Sequence, residues 1–147
     1  TIPPETGNLS RLNILSVNTN SLSGTIPAEL SKLSQHDALS LHSNSISGTI
    51  PAEMSKLSQL EYLYLNTNSI SGTIPPETSK LSQLKTLSLS HNDISGTVPS
   101  QLNDLPLTAC NLGGTNHFAC PLPALPTICT SYYPPECNYP PPSPPSP

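Results

Sequence analysis

The stretch LSQLEYLYLNTNSISGTIPPETSK, residues 57–80, contains the pattern from which the fold is predicted. Its run LEYLYL alternates apolar residues with others at a period of two, which is typical of a short strand with one buried face. Leu63 and Leu65 are predicted to point into a core, and Tyr62 and Tyr64 to point outward.

The residues that follow this strand are those that turn a chain. Asn68 offers both a donor and an acceptor to turn backbone that has lost its ladder partners. Gly72 permits a positive φ, and Pro75 ends any strand because its φ is fixed. We therefore expect residues 76–80 to form a short helical or 3₁₀ connector back to the next strand.

The whole pattern repeats every 24 residues. A single unit of this kind cannot bury its own leucine row, whereas units stacked strand on strand about 4.8 Å apart share one aliphatic core. The prediction is a parallel solenoid. The positions that keep the step are Gly24, Gly48, Gly72 and Gly96, Asn20, Asn44, Asn68 and Asn92, and Leu15, Leu39, Leu63 and Leu87.

These units resemble the plant-type leucine-rich repeat, whose pattern is LxxLxxLxLxxNxLSGxIPxxLxxL. The resemblance covers residues 1–106, about four units that start in the middle of a repeat. It implies a solenoid of parallel strands with 3₁₀ or short helical connectors, an extracellular location, and a recognition or scaffold role rather than catalysis.

Composition restricts the partners. Only 10% of the 147 residues are charged and the net charge is −4, so neither nucleic acid nor an anionic membrane is expected to bind. No apolar run approaches the ~20 residues of a membrane span. The chain opens at Thr1 without Met, so we interpret it as a mature or partial product.

Four cysteines lie within residues 107–137, where the repeat pattern is lost: Cys110, Cys120, Cys129 and Cys137. An even count favours disulfides and an oxidising compartment, and the gaps of nine, eight and seven residues disfavour zinc. The segment resembles the cysteine-bearing C-terminal cap of plant repeat proteins through its CPLP phrase. That resemblance implies neighbouring pairs, Cys110–Cys120 and Cys129–Cys137, among three possible connectivities.

One residue departs from the leucine rows. His36 stands where Leu12, Leu60 and Leu84 stand in the sister units. A histidine in a core row costs free energy unless it finds a hydrogen bond. We predict that His36 is partly exposed at a tolerant position.

The chain ends in NYPPPSPPSP, residues 138–147, which is too rich in proline for helix or sheet and is predicted to be a polyproline II rod. The phrase resembles those of extensins and hydroxyproline-rich cell-wall glycoproteins. The resemblance implies proline hydroxylation and O-linked sugars. The residues concerned are Pro140, Pro141, Pro142, Pro144, Pro145, Pro147, Ser143 and Ser146. A flexible linker is the alternative.

The two ends of the solenoid suggest an assembly hypothesis. Thr1-Ile2-Pro3 matches the end of a GTIP phrase, and the cysteine-rich N-terminal cap usual in the family is missing. Either preceding residues or another surface is expected to cover the row of Leu9 and Leu12. A head-to-tail contact between copies does not close, so it predicts a fibre.

Candidate sites are few. Asn8 begins the sequon Asn8-Leu9-Ser10 and is a candidate for N-glycosylation. Outward strand residues form the recognition surface in the family, and here Tyr62 and Tyr64 are the candidate anchors, with His42 and Asn66 beside them. Shielding of the sheet is the alternative role. No catalytic constellation, metal set or cofactor motif is present, so no enzymatic activity is expected.

Two functions follow from these features. The first is a secreted structural glycoprotein of a cell wall, surface coat or extracellular fibril, with copies of itself, other wall glycoproteins and covalent glycans as partners. The alternative is an extracellular recognition module, a receptor ectodomain or a protein like the polygalacturonase inhibitors. Such a module would bind a peptide, protein or glycan on the strand face.

Overall fold

The computed structural model describes residues 1–120 and 127–129, which form a solenoid with two parallel sheets on opposite sides of one core. The predicted fold is confirmed. The first sheet has the order β1-β3-β5-β7-β9 and contains β1 (Ile14–Ser16), β3 (Ala38–Ser40), β5 (Tyr62–Tyr64), β7 (Thr86–Ser88) and β9 (Ala109–Asn111). The second has the order β10-β8-β6-β4-β2 and contains β2 (Ser23–Thr25), β4 (Ser45–Gly48), β6 (Ser69–Gly72), β8 (Asp93–Gly96) and β10 (His117–Phe118).

Short 3₁₀ turns connect the second-sheet strands β2, β4, β6 and β8 to the next first-sheet strands, and two more turns lie before β1 and after β10. Each of the first five begins directly after a proline and buries one residue, such as Leu30 or Met54, in the core. The six turns are η1 (Pro4–Asn8), η2 (Ala28–Lys32), η3 (Ala52–Lys56), η4 (Pro76–Lys80), η5 (Ser100–Asp104) and η6 (Thr127–Cys129).

Register between repeats follows the 24-residue step. Leu39 pairs with Leu63 and Leu63 with Leu87, so the leucines of the first sheet form one buried row. Burying one such side chain contributes about 1.5–3 kcal/mol, and no repeat can achieve this burial alone. Both sheets continue past residue 106 through β9 and β10, within the segment predicted as the cap.

The second sheet is a feature that the sequence does not predict. Gly72 has φ +77°, as predicted, but it is the last residue of a paired strand and not part of a free turn. The phrase SISG carries a period-two pattern in which Ile46 and Ile70 are buried and the flanking serines face outward. That period-two pattern could have indicated a strand, but the Ser and Gly content of the phrase favours a turn.

Asparagine side chains join neighbouring repeats at the turn after each first-sheet strand. The Asn92 Oδ1 accepts from the backbone N–H of Ile70 in the preceding repeat at 3.0 Å. Its Nδ2 donates to the carbonyls of Leu65 and Leu89, both at 3.0 Å. Asn44 and Asn68 make the same set of bonds, which confirms the role predicted for Asn68.

His36 is buried, and the prediction that it is partly exposed is wrong. Only 1% of its surface is accessible, because it occupies the same closed row as Leu60 and Leu84. Neither ring nitrogen has a hydrogen-bond partner among the described residues. Burial lowers the pKa of the imidazole from 6.5, and the Leu33 carbonyl and the Asp37 carboxylate offset part of that effect.

Both cysteine pairs implied by family resemblance, Cys110–Cys120 and Cys129–Cys137, are wrong, because Cys110 bonds to Cys129. Cys110 lies on β9 in the first sheet, whereas Cys120 follows β10 in the second sheet, across the core. η6 packs against β9 and brings the two Cα atoms of the bonded pair to 4.5 Å. Cys120 is itself disulfide-bonded, and Cys137 lies outside the described residues.

Replacing Asn92 with Ala is expected to destabilise the solenoid by about 2–3 kcal/mol. The buried Ile70 N–H loses its acceptor, and the Leu65 and Leu89 carbonyls each lose one of their two amide donors. Asn20 is the matched control, since it is exposed and bonds to carbonyls of its own turn. Asn20→Ala should cost less than about 1 kcal/mol. Urea unfolding followed by far-UV circular dichroism measures both, and equal losses would contradict the role of the buried ladder.

Replacing His36 with Leu is expected to stabilise the protein by about 1–3 kcal/mol at pH 7.5, because two unpaired ring nitrogens leave the core. The sign of the pH dependence follows from the lowered pKa. As pH falls below about 6.5, the unfolded chain binds a proton that the folded chain resists, so the unfolding free energy of the parent protein falls.

His36→Leu should lose that part of the acid sensitivity. The control is His91→Asn, which removes an exposed histidine at φ +54°, a conformation that Asn tolerates. Urea unfolding at pH 7.5 and 5.5 gives the comparison. The account of His36 fails if His36→Leu and the parent lose the same unfolding free energy between the two pH values.

Candidate binding surface

The outward side of the first sheet, here called the strand face, is the surface on which the sequence predicts binding. Period-two alternation turns Tyr62 and Tyr64 outward on β5 while Leu63 between them is buried. The strands on either side carry mostly small side chains, including Ala38 and Ser40 on β3. Ser90, which the repeat also predicts to point outward, is instead buried, with 4% of its surface accessible.

Two rings meet at the middle of the strand face and a third lies beside them, and the three are here called the aromatic cluster. The rings of His42 and Tyr64 meet edge to face, with centroids 6.2 Å apart and planes 76° apart. Tyr62 lies two residues before Tyr64 on the same side of β5, and all three are half-buried. The His42 Nδ1 also lies 3.2 Å from the Ser43 hydroxyl. Rings held in this way lose little conformational freedom when a ligand packs on them.

Asn66 follows Tyr64 at the end of the same strand. Its side-chain Nδ2 donates to the Thr67 hydroxyl at 3.5 Å, and its carbonyl accepts from the Ser43 N–H of the preceding repeat. The four residues predicted for binding, His42, Tyr62, Tyr64 and Asn66, are therefore on neighbouring strands of one face.

Charged groups lie beside this face and not on it. Lys85 and Glu61, which directly precede β7 and β5, form an ion pair of 2.8 Å. The hydrogen bond to Glu61 raises the pKa of Lys85. Because both side chains are partly exposed, the pair contributes little stability. The pair places charged groups at the start of the strands, next to Tyr62.

A recess of about 510 Å³ opens on the strand face between β5 and the C-terminal cap. Tyr64 lines one side and Ile128 of η6 the other, with Ser88 and Asn111 between them. The sequence does not predict this feature. It depends on η6 lying against β9, a contact for which the sequence carries no local signal.

The outward side of the second sheet presents a second regular surface, here called the threonine face. Thr25, Thr49, Thr73 and Thr97 are exposed and lie 24 residues apart. A Cβ added at Gly72 would lie 2.8 Å from the Thr49 methyl carbon, and the same contact recurs between Gly96 and Thr73. The methyl groups of Thr25, Thr49 and Thr73 therefore rest on the glycine of the next repeat, which fixes the spacing of this surface.

The remaining predicted sites are placed as follows. Asn8 is exposed at the end of η1, next to Leu9, which is 52% accessible. The candidate hydroxylation and O-glycosylation sites in residues 138–147 lie outside the described residues. Within residues 1–120 and 127–129, no group of three or more His, Cys, Asp or Glu side chains is placed to hold a metal ion. None of the helices described there has the length and apolar character needed to cross a membrane.

Family comparison agrees with the geometry. One leucine-rich repeat model matches residues 37–94 and a second matches residues 11–33, together more than half of the 147 residues. The chain is a leucine-rich repeat protein. No curated protein sequence matches it.

Solved structures similar to the chain include plant receptor ectodomains. The Arabidopsis receptor kinase HAESA, solved with the peptide hormone IDA and the co-receptor SERK1, is 40% identical with a TM-score of 0.78. That match covers 81% of this chain and 20% of the receptor chain. The BIR3–SERK2 complex from Arabidopsis thaliana is 34% identical with a TM-score of 0.73, covering 83% of this chain and 65% of the matched one.

A plant ice-binding protein has the same fold. It is 34% identical with a TM-score of 0.73, and the match covers 80% of this chain and 38% of the other. The chain also spans only 16% of PEPR1, which was solved with AtPEP1. The protein is thus a repeat module of the plant extracellular type. Its Cys110–Cys129 disulfide is consistent with an oxidising, extracellular compartment.

Proposed function

We propose that this chain is an extracellular recognition module that binds a peptide along the strand face. The observation that carries the proposal is the edge-to-face pair of His42 and Tyr64 with Tyr62 beside it, between strands whose outward side chains are small and uncharged. Binding energy at interfaces concentrates in a few aromatic residues with two or fewer flexible torsions. The strands on either side of β5 offer no outward side chain of comparable size to a partner.

The similar structures support a peptide as the ligand class. HAESA was solved with a peptide hormone, and the receptor RGFR1, 35% identical to this chain, was solved with RGF2. Both carry the same repeat. Because this chain spans 20% or less of either, a full receptor's signalling role is not transferred to it. What supports the proposal is the class of ligand alone, a peptide, and no catalytic step is included.

Replacing Tyr64 with Ala is expected to weaken peptide binding at least 30-fold, the equivalent of about 2 kcal/mol, because it removes the central ring of the cluster. The probe is a positional-scanning library of acetylated, amidated hexapeptides, and fluorescence polarisation with the purified full chain measures affinity. Thr49→Ala on the threonine face is the matched control and should bind as the parent does. Absence of any peptide binding by the parent chain would sink the proposal.

The threonine face favours a second candidate function, ice binding. Parallel strands repeat at about 4.8 Å, so the exposed threonines present hydroxyl and methyl groups at a regular interval on a flat surface. Regular apolar and hydroxyl groups can hold first-shell water in an ordered layer. The similar structure of a plant ice-binding protein supports this candidate.

Thr49→Lys tests ice binding, because a long charged side chain interrupts the row of threonines while its methylenes can still pack on Gly72. The parent protein should slow ice recrystallisation, and Thr49→Lys should lose most of that effect. Ser40→Lys, on the opposite sheet, is the control and should retain it. Ice grains that coarsen with the parent protein as fast as in buffer would remove this candidate.

The structural-glycoprotein function remains a proposal. It depends on hydroxylation and glycosylation of residues 138–147 and on contacts between copies, and the tail lies outside the described residues. Recognition is better supported, because its proposed surface lies within the described repeats, and those repeats are similar to receptor ectodomains solved with peptides. The two functions are compatible, since a tail of this kind can anchor a recognition module in a matrix.

A further inference from the structure

The recess between Tyr64 and Ile128 differs from the rest of the strand face because it has two opposed walls. Tyr64 is on β5 and Ile128 on η6, and β7 and β9 lie between them. The floor of the recess from β5 to β9 spans two strand spacings, about 10 Å. Its volume of about 510 Å³ is within the 300–1,000 Å³ typical of small-ligand sites.

Small residues are the reason that the recess is open. Ser88 and Ala109 occupy the outward positions that Tyr64 and Tyr62 occupy on β5. The cap then closes the far side, because the disulfide between Cys110 and Cys129 holds η6 against β9. Sheet, aromatic ring and cap therefore build one cavity from three separate parts of the chain.

The chemistry of the lining selects against charge. None of the described lining residues is Asp, Glu, Lys, Arg or His. A charged ligand group would lose hydration here without gaining a partner. The opposed walls are an aromatic ring and an aliphatic side chain, whereas Ser88, Thr86 and Asn111 offer hydroxyl and amide groups to a ligand's backbone.

We propose that this recess binds an uncharged segment of the peptide, with an aliphatic or prolyl side chain seated between Tyr64 and Ile128. The inference rests on the proposed recognition function and adds its specificity. An extended peptide places alternate side chains toward the sheet, so one apolar residue enters the recess while its backbone meets Ser88 and Asn111. Neighbouring peptide residues then pack on Tyr62 and His42.

The experiment uses the same hexapeptide library with the purified full chain. Pools with Leu, Ile, Val or Pro fixed at one position should bind at least tenfold better than pools with Asp or Lys fixed there. Ser88→Lys fills the recess with a charged chain and should reduce affinity for the best peptide at least tenfold. Thr49→Lys on the threonine face is the control, because Thr49 is exposed on the opposite sheet, away from the proposed peptide, and its affinity should change less than twofold.

Far-UV circular dichroism and the urea midpoint establish that both variants fold. If Ser88→Lys does not, Ala109→Lys replaces it, since Ala109 is exposed and lines the same recess. An affinity of Ser88→Lys within twofold of the parent, with binding still lost in Tyr64→Ala, would overturn the recess and leave the recognition function standing. Preference for Asp or Lys, or binding of a neutral oligosaccharide but no peptide at this site, would also overturn it.

Discussion

The solenoid depends on the partly or fully buried asparagine at the turn after each first-sheet strand from β3 onward. At that turn the chain passes through a non-glycine residue at positive φ, Ser43 at +56° and Thr67 at +57° in the central repeats. Such backbone costs about 1–2 kcal/mol per residue for an L-amino acid. The asparagine side chain offsets this cost, because it bonds to carbonyls of its own and the preceding repeat and accepts an N–H from the preceding repeat. One side chain thus fixes both the turn and the stacking distance.

Because the repeats stack at a fixed distance, equivalent outward residues line up on both sheets. The two outer surfaces differ in how much those residues vary from repeat to repeat. On the first sheet the outward positions vary, which gives an aromatic cluster in the middle and a recess at the cap. On the second sheet they hardly vary, and the result is the threonine face with its repeated methyl-to-glycine contact. The two proposed functions therefore use opposite sides of the molecule, and a ligand on one side need not obstruct the other.

Much of this architecture could be predicted from the sequence, because the 24-residue step fixes which residues repeat in space. The leucine rows, the bonding role of Asn68 and the positive φ of Gly72 all follow from it. The second sheet escapes prediction because Ser and Gly favour turns locally, whereas pairing with the adjacent repeat makes a strand of the same residues. The burial of His36 could not be predicted either, because a single polar residue does not expose a side-chain row that the neighbouring repeats keep covered.

The cap could not be predicted in the same way, because its contacts join residues with no periodic relation. The Cys110–Cys129 bond and the Ile128 wall depend on how residues after the last repeat return to the first sheet.

In the repeats, by contrast, inward and outward positions are separated on every first-sheet strand. Leu39, Leu63 and Leu87 fill the interior whatever side chains lie outside them. Outward residues can accordingly change over generations with little penalty to folding, so lineages with this scaffold can acquire new ligands without first acquiring a new interior.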